Sequence, residues 1–286
     1  MYNLCLGWLR VSKDTYLYSL YGRLDYERVT NEAEGVGGLS PGGRRALVHE
    51  FKNPSFNGVG ASAHYLTIDE QETKRRDELA EKIQSELEER TKYITVVLED
   101  IFQSRNSSAV MRSADGFGLQ DLHIIEKEHK WIGTKSVSKG ASSWMTLHKY
   151  NGDDPSSQCV STLKAQGYRV VATSPHEGSY TPDTLPLDQP VAIVMGTELT
   201  GVSDNMMSQV DDYVHIKMYG FSESFNVSVA TAIILNRLRN RLDDMGVDEG
   251  LSEEEMERLR LVWAYKSVKD ADAILKHYGM EMPFEI

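Results

Sequence analysis

Two short, predominantly apolar runs constrain this chain's fold more than any other feature: Tyr93-Ile-Thr-Val-Val-Leu98 and Val191-Ala-Ile-Val-Met195. A strand with one wet face alternates apolar and polar side chains, whereas a run that is apolar throughout belongs to a strand covered on both faces. Further strand-like segments span Asp121–Glu126, Tyr168–Thr173 and Tyr213–Lys217. Helical segments fall between them, near 107–115, at 155–166, briefly after Ser203, and from about Ser224 to Leu242. Strands separated by helical connections predict an α/β fold over 92–245, with a mostly parallel sheet and helices on both faces.

The flanks read differently. Residues 1–61 show little periodicity, and Glu34-Gly-Val-Gly-Gly-Leu-Ser-Pro-Gly-Gly43 has too much backbone freedom for a helix or central strand, so this segment is expected to be a low-order N-terminal extension. Between Asp69 and Arg90, Leu79, Ile83 and Leu87 recur every four residues, and the pairs Glu78/Lys82 and Glu86/Arg90 have favourable helical spacing. That pattern predicts an N-terminal helical extension within 62–91. Ser252, followed three residues later by Glu255, has the form of a capping box and opens a helical tail over 246–286, with helices near 253–266 and 269–278.

Composition narrows the function. A chain of 286 residues can bury a sizeable core without disulfides or metals. Its two cysteines, Cys5 and Cys159, have no ligand spacing, and its eight histidines include no HExxH pair, so no metal site is expected. No apolar stretch approaches the roughly 20 residues of a membrane span, and the expected setting is cytoplasmic, away from membranes. The net charge of −12 opposes indiscriminate binding to DNA or RNA, which depends on Lys and Arg displacing counterions. Residues 71–150 are nearly balanced, however, and hold Arg105, Arg112, Lys127, Lys130, Lys135 and Lys139, which allows a local basic face.

In open parallel sheets ligands collect at the carboxyl ends of the strands, so the loops there carry the chemistry. The loop after the first strand contains Asn106-Ser-Ser-Ala-Val-Met-Arg112, in which Asn106 or Ser107 can cap the following helix and Arg112 lies within it. After Met195, the turn Gly196-Thr-Glu-Leu-Thr-Gly201 places a carboxylate between two glycines; it matches neither a dinucleotide fingerprint nor a triphosphate loop, and a strand-to-helix turn favours glycine in any case. The third loop crowds Ser222, Ser224, Asn226 and Ser228 at the start of an apolar helix, with Asn226 and Ser228 expected inside it. One such residue is explained as a cap; four suggest a site. Arg237, Arg239 and Arg241 end that helix, where its dipole favours cations, with phosphate binding the second explanation.

Taken in order, these loops resemble the three signature motifs of the SPOUT superfamily of RNA methyltransferases, in its TrmH branch. The segments are 106–118, 193–201 and 216–230, supported by Ser138-Lys-Gly-Ala-Ser-Ser-Trp144, and the likeness runs from about His64 to Leu242. The resemblance implies a C-terminal trefoil knot, S-adenosylmethionine as methyl donor, a homodimer and an RNA substrate. Carried over by position, Arg112 matches the family's catalytic arginine, Asn106 its leading asparagine, and Ser224 and Asn226 the polar pair beside the reacting centre. Thr173, Ile216 and Phe225 match donor-contacting positions, while Gly196, Glu198 and Gly201 shape the donor-binding turn. The chain departs from the pattern at Lys217, where proline is usual, at Ser104-Arg105, where Pro-His is frequent, and in its acidic tail. Because 1–61 lacks the αβ alternation of an added RNA-binding domain, the favoured substrate is guanosine 18 of transfer RNA. The alternatives are ribosomal RNA ribose methylation and a non-catalytic RNA-binding role.

Overall fold

The computed structural model describes residues 75, 77–131, 135–138, 140–174, 179–246, 250–268 and 271–277. The expected low-order segment 1–61 lies outside them. The chain divides into two compact units, one of residues 88–253 and one joining residues up to 87 with those from 254 onward.

The larger unit is built on six strands: β1 (Ile94–Glu99), β2 (Asp121–Ile125), β3 (Thr146–Tyr150), β4 (Arg169–Thr173), β5 (Val191–Met195) and β6 (Asp212–Val214). They form one sheet in the order β3-β2-β1-β5-β4-β6, and every pairing is parallel. The two central strands, β1 and β5, are the two apolar runs, and every residue of both is buried. Parallel neighbours on each side and helices on each face leave these side chains no route to water, and that burial is the main source of stability here.

Numbering the helices from helical residues 77–88 as α1, the unit contains α2 (Ser104–Gly116), α3 (Lys135–Ser138), α4 (Pro155–Ala165), α5 (Asp204–Met207) and α6 (Val227–Met245). Val110, Met111 and Ala114 of α2 join Ile234, Leu235, Leu238 and Leu242 of α6 on one face of the sheet. Cys159, Val160 and Leu163 of α4 pack with Met206 of α5 on the other. α4 starts with Pro155 in its first turn and Asp154 as N-cap, its carboxylate accepting from the Ser157 amide at 3.2 Å.

Three local features differ from the sequence reading. β6 ends at Val214 rather than 217, because its one partner strand among the described residues, β4, stops at Thr173, opposite Val214, and on its other side only Tyr180 bridges it. β3 has no counterpart in the reading above; Thr-Leu-His-Lys-Tyr at a sheet edge carries polar and charged side chains and so shows no apolar run. Arg237, Arg239 and Arg241 do not end α6, which runs on to a glycine cap at Gly246 (φ +61°). Arg237 lies 3.6 Å from Asp183, Arg239 3.1 Å from Asp243, and Arg241 donates to the Pro182 carbonyl at 2.8 Å. Protein groups therefore occupy these arginines.

In the second unit, α7 (Glu253–Ser267) and α8 (Ala271–His277) contribute Leu259, Val262, Trp263, Ala264, Ala271 and Leu275 as buried residues, alongside Ile83 and Leu87 of α1. Arg260 donates twice to the Gln84 side-chain oxygen, at 3.2 and 2.7 Å, tying α7 to α1 within that unit. Among the described residues no helix is long and apolar enough to cross a membrane.

Candidate active site

β1, β4 and β5 end on the same edge of the sheet, since all strands run parallel, and the loops leaving them meet there. α2 begins after Gln103, which offers no side-chain cap, so Asn106 is inside the first turn and does not cap the helix as its spacing suggested. Its side-chain amide instead donates to Glu198 Oε1 and to Gln103 Oε1, the latter at 3.2 Å. The Asn226 amide donates to the same Glu198 oxygen at 3.2 Å and to Asn106 Oδ1 at 3.3 Å. One carboxylate oxygen thus gathers two amides from segments 92 and 28 residues away in the chain.

Asn226 holds this position as the N-cap of α6, just outside the helix rather than within it. Its Oδ1 accepts from the Ser228 amide at 2.9 Å and the Ser228 hydroxyl at 2.6 Å, satisfying one of the orphan donors of the helix start while its Nδ2 points into the site. Ser224 is exposed, in the approach to that cap.

The turn after β5 is closed by its own backbone. Thr197 and Gly201 exchange hydrogen bonds of 2.9 and 3.0 Å, and the Thr197 and Thr200 hydroxyls meet at 2.7 Å. A methyl group on Gly196 would lie 2.1 Å from the Gly201 carbonyl carbon, so position 196 admits no side chain; Gly201 adopts φ +70°. Glu198 rides exposed at the top of this turn.

Beneath it, a residue that sequence reasoning passed over secures the loops. Glu99, at the end of β1, is 2% exposed. Its carboxylate accepts from the Ser156 hydroxyl (2.8 Å), the Ser203 hydroxyl (2.6 Å) and the Ser203 amide (2.9 Å), with the Lys127 ammonium 3.6 Å away. A buried carboxylate needs this many donors, and here they come from α4, the turn after β5 and the loop after β2. Its only sequence signal was an acid, followed by Asp100, at the end of an apolar strand.

The remaining predicted residues line the same edge with different exposure. Thr173, at the end of β4, donates its hydroxyl to the Val194 carbonyl of β5 at 2.9 Å. Ile216 is partly buried against the core and Phe225 is 40% exposed. Among the described residues, no backbone group of 216–225 bonds to another backbone group. Arg112 is exposed on α2 and makes no hydrogen bond or ion pair with the described residues. Six residues of helix place it roughly 9 Å along the axis from Asn106 and about 240° around it, so within one chain the two side chains leave α2 in different directions. No group of three or more His, Cys, Asp or Glu among the described residues could hold a metal ion.

The arrangement is a polar trio between a glycine-closed turn and an irregular segment whose backbone groups have no backbone partner among the described residues, a site suited to a nucleoside-bearing ligand. The comparisons agree with it. Residues 93–236 match the SpoU rRNA Methylase family. The chain is 42% identical to the tRNA (guanosine(18)-2'-O)-methyltransferase of Borreliella burgdorferi, over 68% of this chain and 88% of that one. It is 29% identical to the protein of the same name from Escherichia coli K12, over 66% and 82%. Among solved structures, the A. aeolicus TrmH/SpoU tRNA modifying enzyme superposes with a TM-score of 0.60 at 30% identity, covering 66% of this chain and 95% of its own. The motif loops, the sheet order and these likenesses agree, and the chain belongs to the SpoU rRNA methylase family.

Proposed function

We propose that the protein methylates the ribose 2′-hydroxyl of guanosine 18 in the D-loop of transfer RNA, with S-adenosylmethionine as methyl donor. The observation that carries this reading is the Asn106–Glu198–Asn226 hydrogen-bonded trio, which draws the three motif loops to one point. Its substrate follows the names of the relatives.

The donor, when bound, supplies a methyl group on a sulfonium, with a neutral thioether as the leaving group. The protein must hold the donor, aim a ribose oxygen along the methyl–sulfur axis and manage that oxygen's proton. The unpaired backbone groups of 216–225 suit an adenine edge, with Thr173, Ile216 and Phe225 beside them and Gly196, Glu198 and Gly201 shaping the facing turn. Ser224 and Asn226 orient polar groups of the acceptor. Arg112 brings five N–H donors not committed to any described group. With a pKa above about 12, it acts best by stabilising charge that develops on the ribose oxygen and by pairing a neighbouring phosphate, rather than as a base.

A second copy belongs to this reading. Leu199 (98% exposed), Tyr219 (88%) and Phe221 lie on the two site loops, where apolar side chains in water favour a partner surface, and Arg112 points away from its own chain's trio. The Arg112 of one subunit then serves the trio of the other. The trefoil threading of the chain after β4 is part of the same proposal, supported by the family membership.

The test is methyl transfer from labelled S-adenosylmethionine to a transfer RNA transcript and to the same transcript with 2′-deoxyguanosine at position 18. Incorporation is expected only in the first, and Arg112→Ala is expected to lower it at least a hundredfold while leaving donor affinity within about twofold. Equal labelling of both transcripts, or labelling only of ribosomal RNA, would overturn the assigned substrate.

A further inference from the structure

The carboxyl-edge loops of β2 and β3, outside the trio, form an open pocket of about 560 Å3 lined by Glu126, Lys127, Lys130, Trp131, Lys149 and Asn151, among others. Three lysines against one carboxylate make it a basic spot on a chain of net charge −12. The loop that forms its wall is held in shape. Asp100, in the left-handed region at φ +52°, accepts through one carboxylate oxygen from the amides of Lys127, Glu128 and His129, at 3.1, 3.0 and 2.9 Å. Its other oxygen lies 3.1 Å from the His129 ring nitrogen. Glu126 is occupied as well, accepting from the Trp131 amide at 3.0 Å.

The lysines divide by partner. Lys127 is committed to Glu99 and to the Ser203 hydroxyl, 3.4 Å away, and so joins this cavity to the turn that carries Glu198. Lys130 makes no hydrogen bond or ion pair with the described residues. Lys149 has its ammonium 5.1 Å from the centre of the Trp131 ring and makes no ion pair with a described carboxylate. Lys130 and Lys149, which no described carboxylate pairs, line the same pocket as the single carboxylate of Glu126, so positive charge is in excess there and an anion from outside the chain can balance it.

Building on the proposed RNA substrate, we propose that this cavity binds a phosphodiester of the RNA, outside the reacting nucleotide, through Lys130 and Lys149, with Trp131 positioning Lys149. Lys127 and Ser203 place this contact beside the methyl-transfer site. An acidic enzyme thereby gains a localised grip on a polyanion, and the position of that grip sets which nucleotide reaches the trio.

The experiment measures binding of a transfer RNA transcript to the full chain by fluorescence anisotropy across a series of KCl concentrations, for the wild type and for the double variants Lys130→Ala/Lys149→Ala and Lys130→Arg/Lys149→Arg. Calorimetry with S-adenosylmethionine runs alongside. The alanine variant is expected to bind RNA about tenfold more weakly, with a log–log salt slope shallower by roughly one per lysine, while the arginine variant keeps the wild-type slope and donor binding is unchanged in both. An alanine variant with wild-type affinity and slope would overturn the inference, as would an arginine variant that loses as much, since packing rather than charge would then be responsible. A wild-type chain that binds no transcript even at low salt would instead overturn the functional reading on which the inference rests.

Discussion

At Gly196 the obstacle to a side chain is steric, whereas at Gly201 it is conformational. Any Cβ at 196 collides with backbone, which cannot swing aside as a flexible side chain can; at 201 there is open space, but the left-handed φ of +70° disfavours an L side chain. The two alanine variants should therefore differ. Gly196→Ala is expected to cost about 3 kcal/mol in urea unfolding and to abolish S-adenosylmethionine binding, because the 196–201 turn must open. Gly201→Ala should cost about 1–2 kcal/mol and weaken binding less. Equal, small effects would show that the turn is not closed against itself. Asn226 teaches a related lesson: the crowding of polar residues at the start of an apolar helix was legible as a site, but that Asn226 caps the helix from outside and donates to Glu198, 28 residues away, was not.

Loops at strand ends are ordered here by single carboxylates. Asp100 does for the 127–129 turn what Glu99 does for the 203 turn; Glu99 ends β1 and Asp100 follows it directly, so one strand end anchors two loops. Partial burial works against the charge on Asp100, but hydrogen bonds from the His129 amide and ring and from the Lys127 amide outweigh it and hold its carboxyl below the usual 3.8. A depressed folded-state pKa means that this stabilisation is fully present above the unfolded value and is lost as pH falls through the folded one. Asp100→Ala is accordingly expected to unfold about 1–2 kcal/mol more easily at pH 7, with the gap to wild type narrowing below pH 4. A gap independent of pH would assign the loss to backbone strain instead of charge. The strands themselves were legible wherever burial on both faces left continuous apolar runs, as in β1 and β5; β3 escaped notice because an edge strand tolerates His148 and Lys149.

A whole-molecule question is how many chains make one working site. The proposal that Arg112 acts across an interface predicts a particle of about twice the 32.2 kDa chain mass by light scattering. It also predicts that mixing Arg112→Ala with Asn226→Ala protein, after subunit exchange, restores up to about half the activity of each mixed dimer, since one of its two sites then holds an intact arginine and an intact trio. Failure of the mixture to recover activity, in dimers shown to have exchanged, would place both residues in the same chain's site. The sequence alone carried five of the six strands and the main helices between them, the three polar loops and the resemblance that grouped them, because these depend on propensity, burial pattern and short spacing. Only the tertiary structure put Asn106 and Asn226 on one oxygen of Glu198, released Asn106 from a capping role, and set Lys130 and Lys149 around a single cavity. Those outcomes turn on hydrogen bonds and charges brought together by sheet topology across stretches of up to 120 residues, over which no local preference of the chain extends.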